Sequence, residues 1–223
     1  MEALRRCPLT WAMLAFLPLV VFPQIDLGIS GLFYRPEDGF FLHDFWLFRF
    51  ILKGLPPVVM SVTLVVVVLG LAGDWLRLRF PDLARLPVVR RQVALFLAAS
   101  LALGPGLVVN WLLKDHWGRA RPSQIAEFGG TAHFTPPLMM ADQCVSNCSF
   151  SSGHGAFGFW LIAFALLAPG RWRTHAVVAA LGFGCLVGFS RIAQGGHFFS
   201  DTVFSGAVVV AITLGLWKRM VRE

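Results

Sequence analysis

The sequence predicts an all-α protein, a polytopic bundle of six transmembrane helices with both termini in the cytoplasm. Three observations support this fold class. The 223-residue chain is 57% hydrophobic and 14% charged, with a mean hydropathy of +0.69, which is too apolar for an ordinary soluble domain. Apolar runs of spanning length recur along it. The basic residues lie in short clusters between these runs, as they do in membrane proteins.

The six predicted spans are the apolar runs at residues 9–25, 55–71, 93–113, 155–168, 176–192 and 202–217. Several are shorter than the roughly 20 residues that a hydrocarbon core of about 30 Å requires. Glycines in the fourth and fifth runs would let those two helices pack closely. The first run follows two arginines, as a signal peptide does, but no small-x-small cleavage site follows it, so a retained helix is favoured.

The distribution of Lys and Arg sets the predicted orientation. If the N-terminus is cytoplasmic, that side holds twelve of these residues: Arg5, Arg6, Arg77, Arg79, Arg85, Arg90, Arg91, Arg171, Arg173, Lys218, Arg219 and Arg222. The opposite side holds seven: Arg35, Arg49, Lys53, Lys114, Arg119, Arg121 and Arg191. The excess places both termini in the cytoplasm and the polar motifs outside. Because the basic residues form no continuous stripe, a nucleic-acid partner is not expected.

The chain is predicted to form a single domain, residues 1–223, with two long outer loops. Residues 31–54 are rich in aromatic side chains and are expected either to hold a short helix in the membrane interface or to pack against the bundle. Residues 123–151 contain Gly and Pro pairs that make a continuous helix improbable. Because this second loop joins two polar motifs, it is expected to act as a lid or to select the substrate.

Two cysteines fall in the second outer loop. Cys144 and Cys148 would pair in an oxidising periplasm and close a very small ring near Ser152, or they would remain two free thiols. Without paired histidines they fall short of a structural zinc set. The sequence therefore predicts no metal site and no cofactor.

Two cations follow the third span. Lys114 ends that span, and Arg121-Pro122 comes seven residues later. Both side chains are suited to hold phosphate oxygens, Arg through its planar fork and Lys as a point charge. Snorkelling toward lipid headgroups is the alternative, and Arg119 competes with Arg121 for the phosphate.

Ser152-Gly153-His154 precedes the fourth span. Ser is a favoured helix cap, Gly permits close approach to the backbone, and the N–H groups at a helix start favour an anion. A histidine in the first turn is placed to donate a proton to a departing oxygen. Taken alone, the same three residues are also typical of a capping turn with an interfacial histidine.

The third motif, Ser190-Arg191-x5-His197-x3-Asp201, lies between the fifth and sixth spans. If His197 and Asp201 occupy the first turn of the sixth span, their spacing places them on one helical face. Asp201 would then take the proton of one ring nitrogen and leave the other nucleophilic, while Arg191 adds a phosphate fork. Ionisable clusters at membrane helix ends indicate function, although a His–Asp helix cap has the same pattern.

Together the three motifs resemble the type 2 phosphatidic acid phosphatase superfamily, which also contains the vanadium haloperoxidases and bacterial acid phosphatases. The signature of that family is Lys-x6-Arg-Pro, Pro-Ser-Gly-His and Ser-Arg-x5-His-x3-Asp. The chain matches the first and third in full and has Ser151 where Pro usually precedes Ser-Gly-His. The resemblance covers about 90 residues, and the missing Pro shapes a turn without carrying a reacting atom.

The resemblance implies a metal-free phosphatase that works through a phosphohistidine. His197 would be the nucleophile, Asp201 would orient it, and His154 would protonate the leaving alkoxide and then activate water. The phosphate would be held by Lys114, Arg121, Ser152, the Gly153 amide and Arg191.

Within the family, residues 117–122 and 148–154 look most similar to bacterial lipid A phosphatases. A lipid phosphatase of the bacterial inner membrane, with its site facing the periplasm, is therefore expected, and lipid A is the favoured substrate at its 1- or 4'-phosphate. Undecaprenyl diphosphate, phosphatidylglycerophosphate and phosphoryl transfer to another lipid are alternatives. A transporter is disfavoured because the ionisable residues cluster at one set of helix ends and no repeat is visible.

Overall fold

The computed structural model describes residues 8–80 and 89–221 of the chain. Its α-helices are α1 (Pro8–Val21), α2 (Gln24–Gly31), α3 (Trp46–Lys53), α4 (Leu55–Arg79), α5 (Arg91–Leu101), α6 (Gly153–Trp160), α7 (Ile162–Leu166), α8 (Gly170–Ala193) and α9 (Phe199–Met220). Helix α5 continues without a break into a π-helical segment, Ala102–Lys114. Four arginines used to predict the orientation lie outside the described residues: Arg5, Arg6, Arg85 and Arg222.

Four helices of the described chain are long and apolar enough to cross a membrane. They are Trp46–Gly73, which runs through α3 into α4, Arg91–Lys114, which joins α5 to the π-helical segment, and the helices α8 and α9. The other two predicted spans coincide with α1 and with the consecutive helices α6 and α7, which are shorter. The prediction of a mostly helical membrane protein is therefore confirmed.

The third predicted span changes its winding at Ala102, and Pro105 lies inside the π-helical segment. Proline lacks a backbone N–H, so a regular α-helix would lose a hydrogen bond at this point. The segment adopts the wider π-helical form instead. Asn110 donates its side-chain amide to the Pro105 carbonyl at 2.8 Å. The segment then ends at Lys114, the first residue of the predicted site.

Glycines set how closely α6, α8 and α9 approach one another. A side chain at Gly158 would meet Val187 of α8 at 3.0 Å, and a side chain at Gly188 would collide with Thr202 of α9. Close packing of the fourth and fifth predicted spans depends on these small residues. Trp160, at the end of α6, is fully buried in the main apolar core.

The first outer loop contains secondary structure. Strand β1 (Tyr34–Arg35) pairs antiparallel with β2 (Gly39–Phe40), and α3 follows. Helix α3 packs Ile51 and Leu52 against the bundle, while Trp46 is 70% exposed. The predicted short helix is present, and it combines packing on the bundle with an exposed aromatic residue.

The second outer loop has no continuous helix, as its Gly and Pro content predicts. It contains two 3₁₀ turns, Pro122–Gln124 and Ala126–Phe128. Ile125 and Phe150, near its two ends, are fully buried. The two ends of the loop are therefore anchored in the protein, whereas Val145 between them is 97% exposed. The role of the loop as a lid or as a substrate-selecting element stays a prediction.

Candidate active site

Three helix ends bring the predicted motifs to one place. Lys114 ends the π-helical segment, Ser152 caps α6, and the turn between α8 and α9 holds His197. A side chain at Gly153 would lie 3.4 Å from the Lys114 Nζ atom, which joins the first motif to the second. The Ser152 N–H donates to the Asp201 carbonyl at 3.5 Å, which joins the second motif to the third.

His197 is fully buried, and a backbone carbonyl fixes its ring. The Nδ1 atom lies 2.7 Å from the Ser149 carbonyl oxygen. Because a carbonyl only accepts hydrogen bonds, Nδ1 carries the proton and Nε2 keeps its lone pair. Nε2 has no hydrogen-bond partner among the described residues. A buried ring nitrogen with an unused lone pair meets the first requirement of a nucleophile.

Burial holds the pKa of His197 well below its ordinary value of 6.5. The positive charges of Arg191, Lys114 and Arg121 lower this pKa further, whereas the hydrogen bond to Ser149 raises it. The imidazole is therefore neutral at physiological pH. The charges of all three motif cations therefore act on this one ring.

The sequence pattern predicts a hydrogen bond between Asp201 and the His197 ring, and the structure does not contain it. The nearest Asp201 oxygen is 3.9 Å from Nδ1, which is too far for a hydrogen bond. That oxygen accepts instead from the Ser149 hydroxyl and from the Phe198 N–H. The helix-face argument fails because His197 precedes the first residue of α9. Asp201 therefore acts on the ring through Ser149.

A fully buried arginine lies on the far side of Asp201. Arg119 donates to Asp201 Oδ1 at 2.6 Å and to Asp26 Oδ2 at 2.9 Å. Its guanidinium carbon lies 4.3 Å from the centroid of the Phe198 ring. Ser200 joins the same network, since its N–H donates to Asp26 at 2.8 Å. Two carboxylates thus flank one guanidinium behind the histidine.

Sequence reasoning considered Arg119 as a phosphate ligand and missed Asp26 and Ser149. Complete burial and two carboxylate partners commit Arg119 to the network instead. Asp26 could have been found from the sequence, because a carboxylate at the end of an apolar run needs a buried partner. Ser149 has no such signal, because its contact with His197 is made by the backbone.

Arg121 has different surroundings from Arg119. Its Nε and Nη2 atoms donate to the Asn147 carbonyl at 3.2 and 2.6 Å. Burial lowers the pKa of Arg121, and the negative charge of Asp201 opposes that shift. Among the ion pairs of the described chain, none involves Arg121 or the other two motif cations. Three cations without an ion-pair partner favour the binding of an anion.

The second motif forms the start of α6, as predicted. The Ser152 hydroxyl accepts the Gly155 N–H at 3.2 Å, which is an N-cap bond. A Cβ atom at position 153 would meet Asn110 Oδ1 at 2.5 Å, so glycine is the residue that fits. The N–H groups of this first turn add partial positive charge next to Lys114.

His154 is half-buried and lines a cavity of about 270 Å³ together with Arg191. The other lining residues are His43, Asp44, Arg49, Leu52, Lys53 and Gln194. Arg191 donates to Gln194 Oε1 at 2.8 Å, and Gln194 donates to the His43 carbonyl at 2.9 Å. Gln194 thus connects a motif cation to the first outer loop. The Nε atom of Arg191 is buried and has no hydrogen-bond partner in the described chain.

Cys144 and Cys148 form a disulfide. Asn147, whose carbonyl binds Arg121, lies inside the ring that this bond closes. Ser149, whose carbonyl binds His197, follows the ring directly. The disulfide therefore restrains the short turn that supplies both carbonyls.

The site combines two histidines, three cations and the start of α6. Such a set can hold a phosphoryl group, attack it with an imidazole and protonate the leaving oxygen. Within the described residues, no group of three or more His, Cys, Asp or Glu side chains is placed to hold a metal ion.

Comparison with known proteins identifies relatives whose alignments cover nearly the whole chain. The profile of the PAP2 superfamily matches residues 93–223. A lipid A 4'-phosphatase of Francisella tularensis subsp. novicida (strain U112) is 38% identical over 94% of this chain and 92% of its own length. Lipid A 4'-phosphatases of Rhizobium leguminosarum and Rhizobium etli are 36% and 34% identical over 92% of this chain, and 92% and 83% of their own lengths are covered. No solved structure gives a significant match.

Proposed function

The chain belongs to the PAP2 superfamily, and on this premise we propose that it removes the 4'-phosphate of lipid A through a phosphohistidine at His197. Membership of the family and the apolar helices make the protein a membrane lipid phosphatase that works without a metal. The protonation state of His197 is the observation that supports the proposed mechanism. Its Nδ1 proton is bound to Ser149, and its Nε2 lone pair has no partner among the described residues.

In the proposed first step, the Nε2 atom of His197 attacks phosphorus in line with the ester oxygen of the lipid. A P–N bond forms as the P–O bond breaks, and His154 donates a proton to the departing sugar oxygen. The motif cations and the first-turn N–H groups stabilise the charge on the phosphoryl oxygens. The ring becomes positive, and the Ser149 carbonyl stabilises that charge through the Nδ1 proton.

In the second step, water attacks the phosphorus of the phosphohistidine. His154, neutral after the first step, accepts a proton from this water. The P–N bond breaks as the new P–O bond forms, and inorganic phosphate leaves. His197 returns to its neutral form with the proton still on Nδ1.

The relatives support the choice of substrate. Three of them are lipid A 4'-phosphatases, and their alignments cover 92–94% of this chain. Of the two positions that the sequence left open, we therefore assign the 4'-phosphate.

We assign the enzyme to the bacterial inner membrane, with six spans, cytoplasmic termini and a site that faces the periplasm. Helix α1 and the pair α6 and α7 would complete the set begun by the four longer helices. The excess of Lys and Arg in the loops opposite the site supports this orientation. The Cys144–Cys148 disulfide fits an oxidising compartment.

The test is phosphate release by the purified enzyme in detergent, with lipid A, undecaprenyl diphosphate and phosphatidylglycerophosphate supplied in parallel. We expect lipid A to be hydrolysed fastest, and mass spectrometry should show loss of the phosphate on the distal sugar. The rate should persist in EDTA. Faster hydrolysis of either other lipid, or loss of the 1-phosphate, would overturn the substrate assignment. Phosphate that appears on a second lipid instead of in solution would identify a transferase.

A further inference from the structure

The cavity that His154 and Arg191 line has two further cations on its wall. Arg49 and Lys53 come from α3, in the first outer loop, and take no part in the proposed reaction. Asp44 is the one carboxylate among the described residues that line this cavity. The lining therefore has an excess of positive charge beyond the motif cation, and such an excess favours a second anion.

Both cations of α3 have donors available for a ligand. Lys53 is exposed and has no hydrogen bond or ion pair within the described chain. Arg49 Nη1 lies 3.4 Å from Asp44 Oδ1, and both of these side chains are more than half exposed. An exposed pair of this kind contributes little to stability, so Arg49 is free to turn to a stronger acceptor. A phosphate monoester, with more than one negative charge at neutral pH, is such an acceptor.

The packing of α3 on α8 places the two cations beside Arg191. Ile51 and Leu52 of α3 form a buried apolar cluster with Val187 of α8. Val187 precedes Arg191 by about one helical turn. A headgroup with one phosphate at Arg191 therefore has the cations of α3 within the same cavity.

The exposed face of α3 contains two neighbouring stripes of different chemistry. Arg49 and Lys53, at positions i and i+4, form the stripe that lines the cavity. Trp46 and Phe50 form the other stripe and are 70% and 57% exposed. Exposed tryptophans of membrane proteins are concentrated at the level of the lipid headgroups. The two cations therefore lie at a depth suited to a phosphorylated headgroup.

We propose that Arg49 and Lys53 bind the second phosphate of the substrate, the 1-phosphate on the other glucosamine of lipid A. This inference rests on the proposed function, in which His197 attacks the 4'-phosphate. Two sugar rings separate the phosphates, so the 1-phosphate requires donors on a different element, and α3 provides them on long side chains. Residues 49 and 53 precede residue 93, where the match to the PAP2 superfamily begins. The first outer loop thus adds recognition of the second phosphate to the catalytic motifs of the family.

The test combines a change in the enzyme with a change in the substrate. Purified full-length wild type, Arg49→Ala and Lys53→Ala are assayed in a neutral detergent for release of the 4'-phosphate from lipid A and from lipid A that lacks the 1-phosphate. The ratio of kcat/KM for the first lipid to kcat/KM for the second should fall about tenfold in each variant, because a charge-assisted hydrogen bond is lost. Lys53→Arg should keep most of the wild-type ratio, because the charge remains.

Arg35→Ala is the matched control. Arg35 is an exposed cation of the same outer loop, its guanidinium carbon lies 4.6 Å from the centroid of the Phe41 ring, and it does not line the cavity. The ratio in Arg35→Ala should stay within about twofold of wild type. A fall in this control as large as in the α3 variants would show that any cation of the loop has the same effect, and would overturn the site.

Two further results would overturn the inference. Equal ratios in the wild type and the α3 variants would show that these cations do not contact the 1-phosphate. An equal loss of kcat/KM on both lipids would show that they attract lipid headgroups in general. Failure of the proposed function gives a different result, because the wild type would then hydrolyse neither lipid or would remove the 1-phosphate, and the inference would fall with it.

Discussion

Arg119 and Arg121 are separated by one residue, yet the two regions that they enter differ in charge balance. Arg119 is fully buried and paired with the carboxylates of Asp26 and Asp201. Arg121 is partly exposed, donates to a backbone carbonyl and acts on His197 together with two other cations. Behind His197 the cation is paired with carboxylates of the protein, whereas the motif cations form a region with an excess of positive charge that a negative ligand would balance.

The difference shows that a residue type alone does not determine a role. A guanidinium between two carboxylates has its donors satisfied and acts by the order it imposes on Asp201 and Ser149. A guanidinium among cations lacks an anionic partner, and its fork matches the geometry of phosphate. His197 depends on both regions, because one fixes its Nδ1 proton and the other lowers the pKa of its ring.

Removal of Arg119 should have the largest effect, and it should act on stability. Arg119→Ala leaves Asp26 and Asp201 buried without their cation, which typically lowers the free energy of unfolding by about 3–5 kcal/mol. Thermal unfolding of the detergent-solubilised variant measures the loss. The double variant Arg119→Ala/Asp26→Ala should lose less than the sum of the two single variants. Additive losses would show that the two residues are not coupled.

Removal of Arg121 should act on catalysis instead. Arg121→Ala should lower kcat/KM by about 10²- to 10³-fold, the usual effect of removing one donor that stabilises an oxyanion. Its thermal unfolding should stay close to that of the wild type, and Arg121→Lys should retain part of the activity because the charge remains without the fork. A destabilised variant whose folded fraction is fully active would mean that the two arginines have been assigned in the wrong order.

Loss of the disulfide should have a smaller effect than removal of either arginine, and the effect should be on kcat. The variant with Cys144→Ser and Cys148→Ser loosens the turn that supplies the carbonyls for Arg121 and His197, and kcat should fall by about tenfold as these groups lose their positions. Cys185→Ser, a change to the free cysteine of α8, is the control and should match the wild type. Equal kcat values for all three proteins would show that the turn holds its shape without the bond.

The pH profile should show the smallest change, and its sign follows from the pKa of His197. Attack requires the neutral ring, so activity is lost as the pH falls through this pKa. Because burial and the cations hold the pKa well below 6.5, the acid limb of kcat/KM should lie below that value. Arg121→Ala removes one of the charges that lower the pKa, so its acid limb should move to higher pH. An acid limb at the same pH in wild type and Arg121→Ala would show that the charge of Arg121 does not act on His197.

The parts of the fold and the site that can be predicted from the sequence are those that depend on short, local sequence patterns. Apolar runs give the positions of the long helices because a hydrocarbon core requires continuous apolar length. Ser152 is predictable as a cap because its hydroxyl satisfies an N–H at a helix start. Lys114 and Arg191 lie at helix ends because a charged residue terminates an apolar run.

Long-range and backbone contacts explain the part that sequence reasoning missed. Asp26 reaches Arg119 across 93 positions of the chain, and no local pattern encodes such a pair. Ser149 holds His197 by a carbonyl that every residue possesses, so residue type gives no indication of it. The four-residue spacing suggested a direct contact between His197 and Asp201, but the helix starts too late for that rule to apply.

The most direct measurement traps the phosphoryl group on the enzyme. With p-nitrophenyl phosphate, whose leaving group needs no proton, His154→Ala should form the phosphohistidine but fail to activate water, so the intermediate should accumulate. Mass spectrometry of peptides prepared without acid should place the phosphoryl group on His197, and His197→Ala should carry none. A phosphoryl group on any other residue, or turnover of His197→Ala at the wild-type rate, would contradict the account.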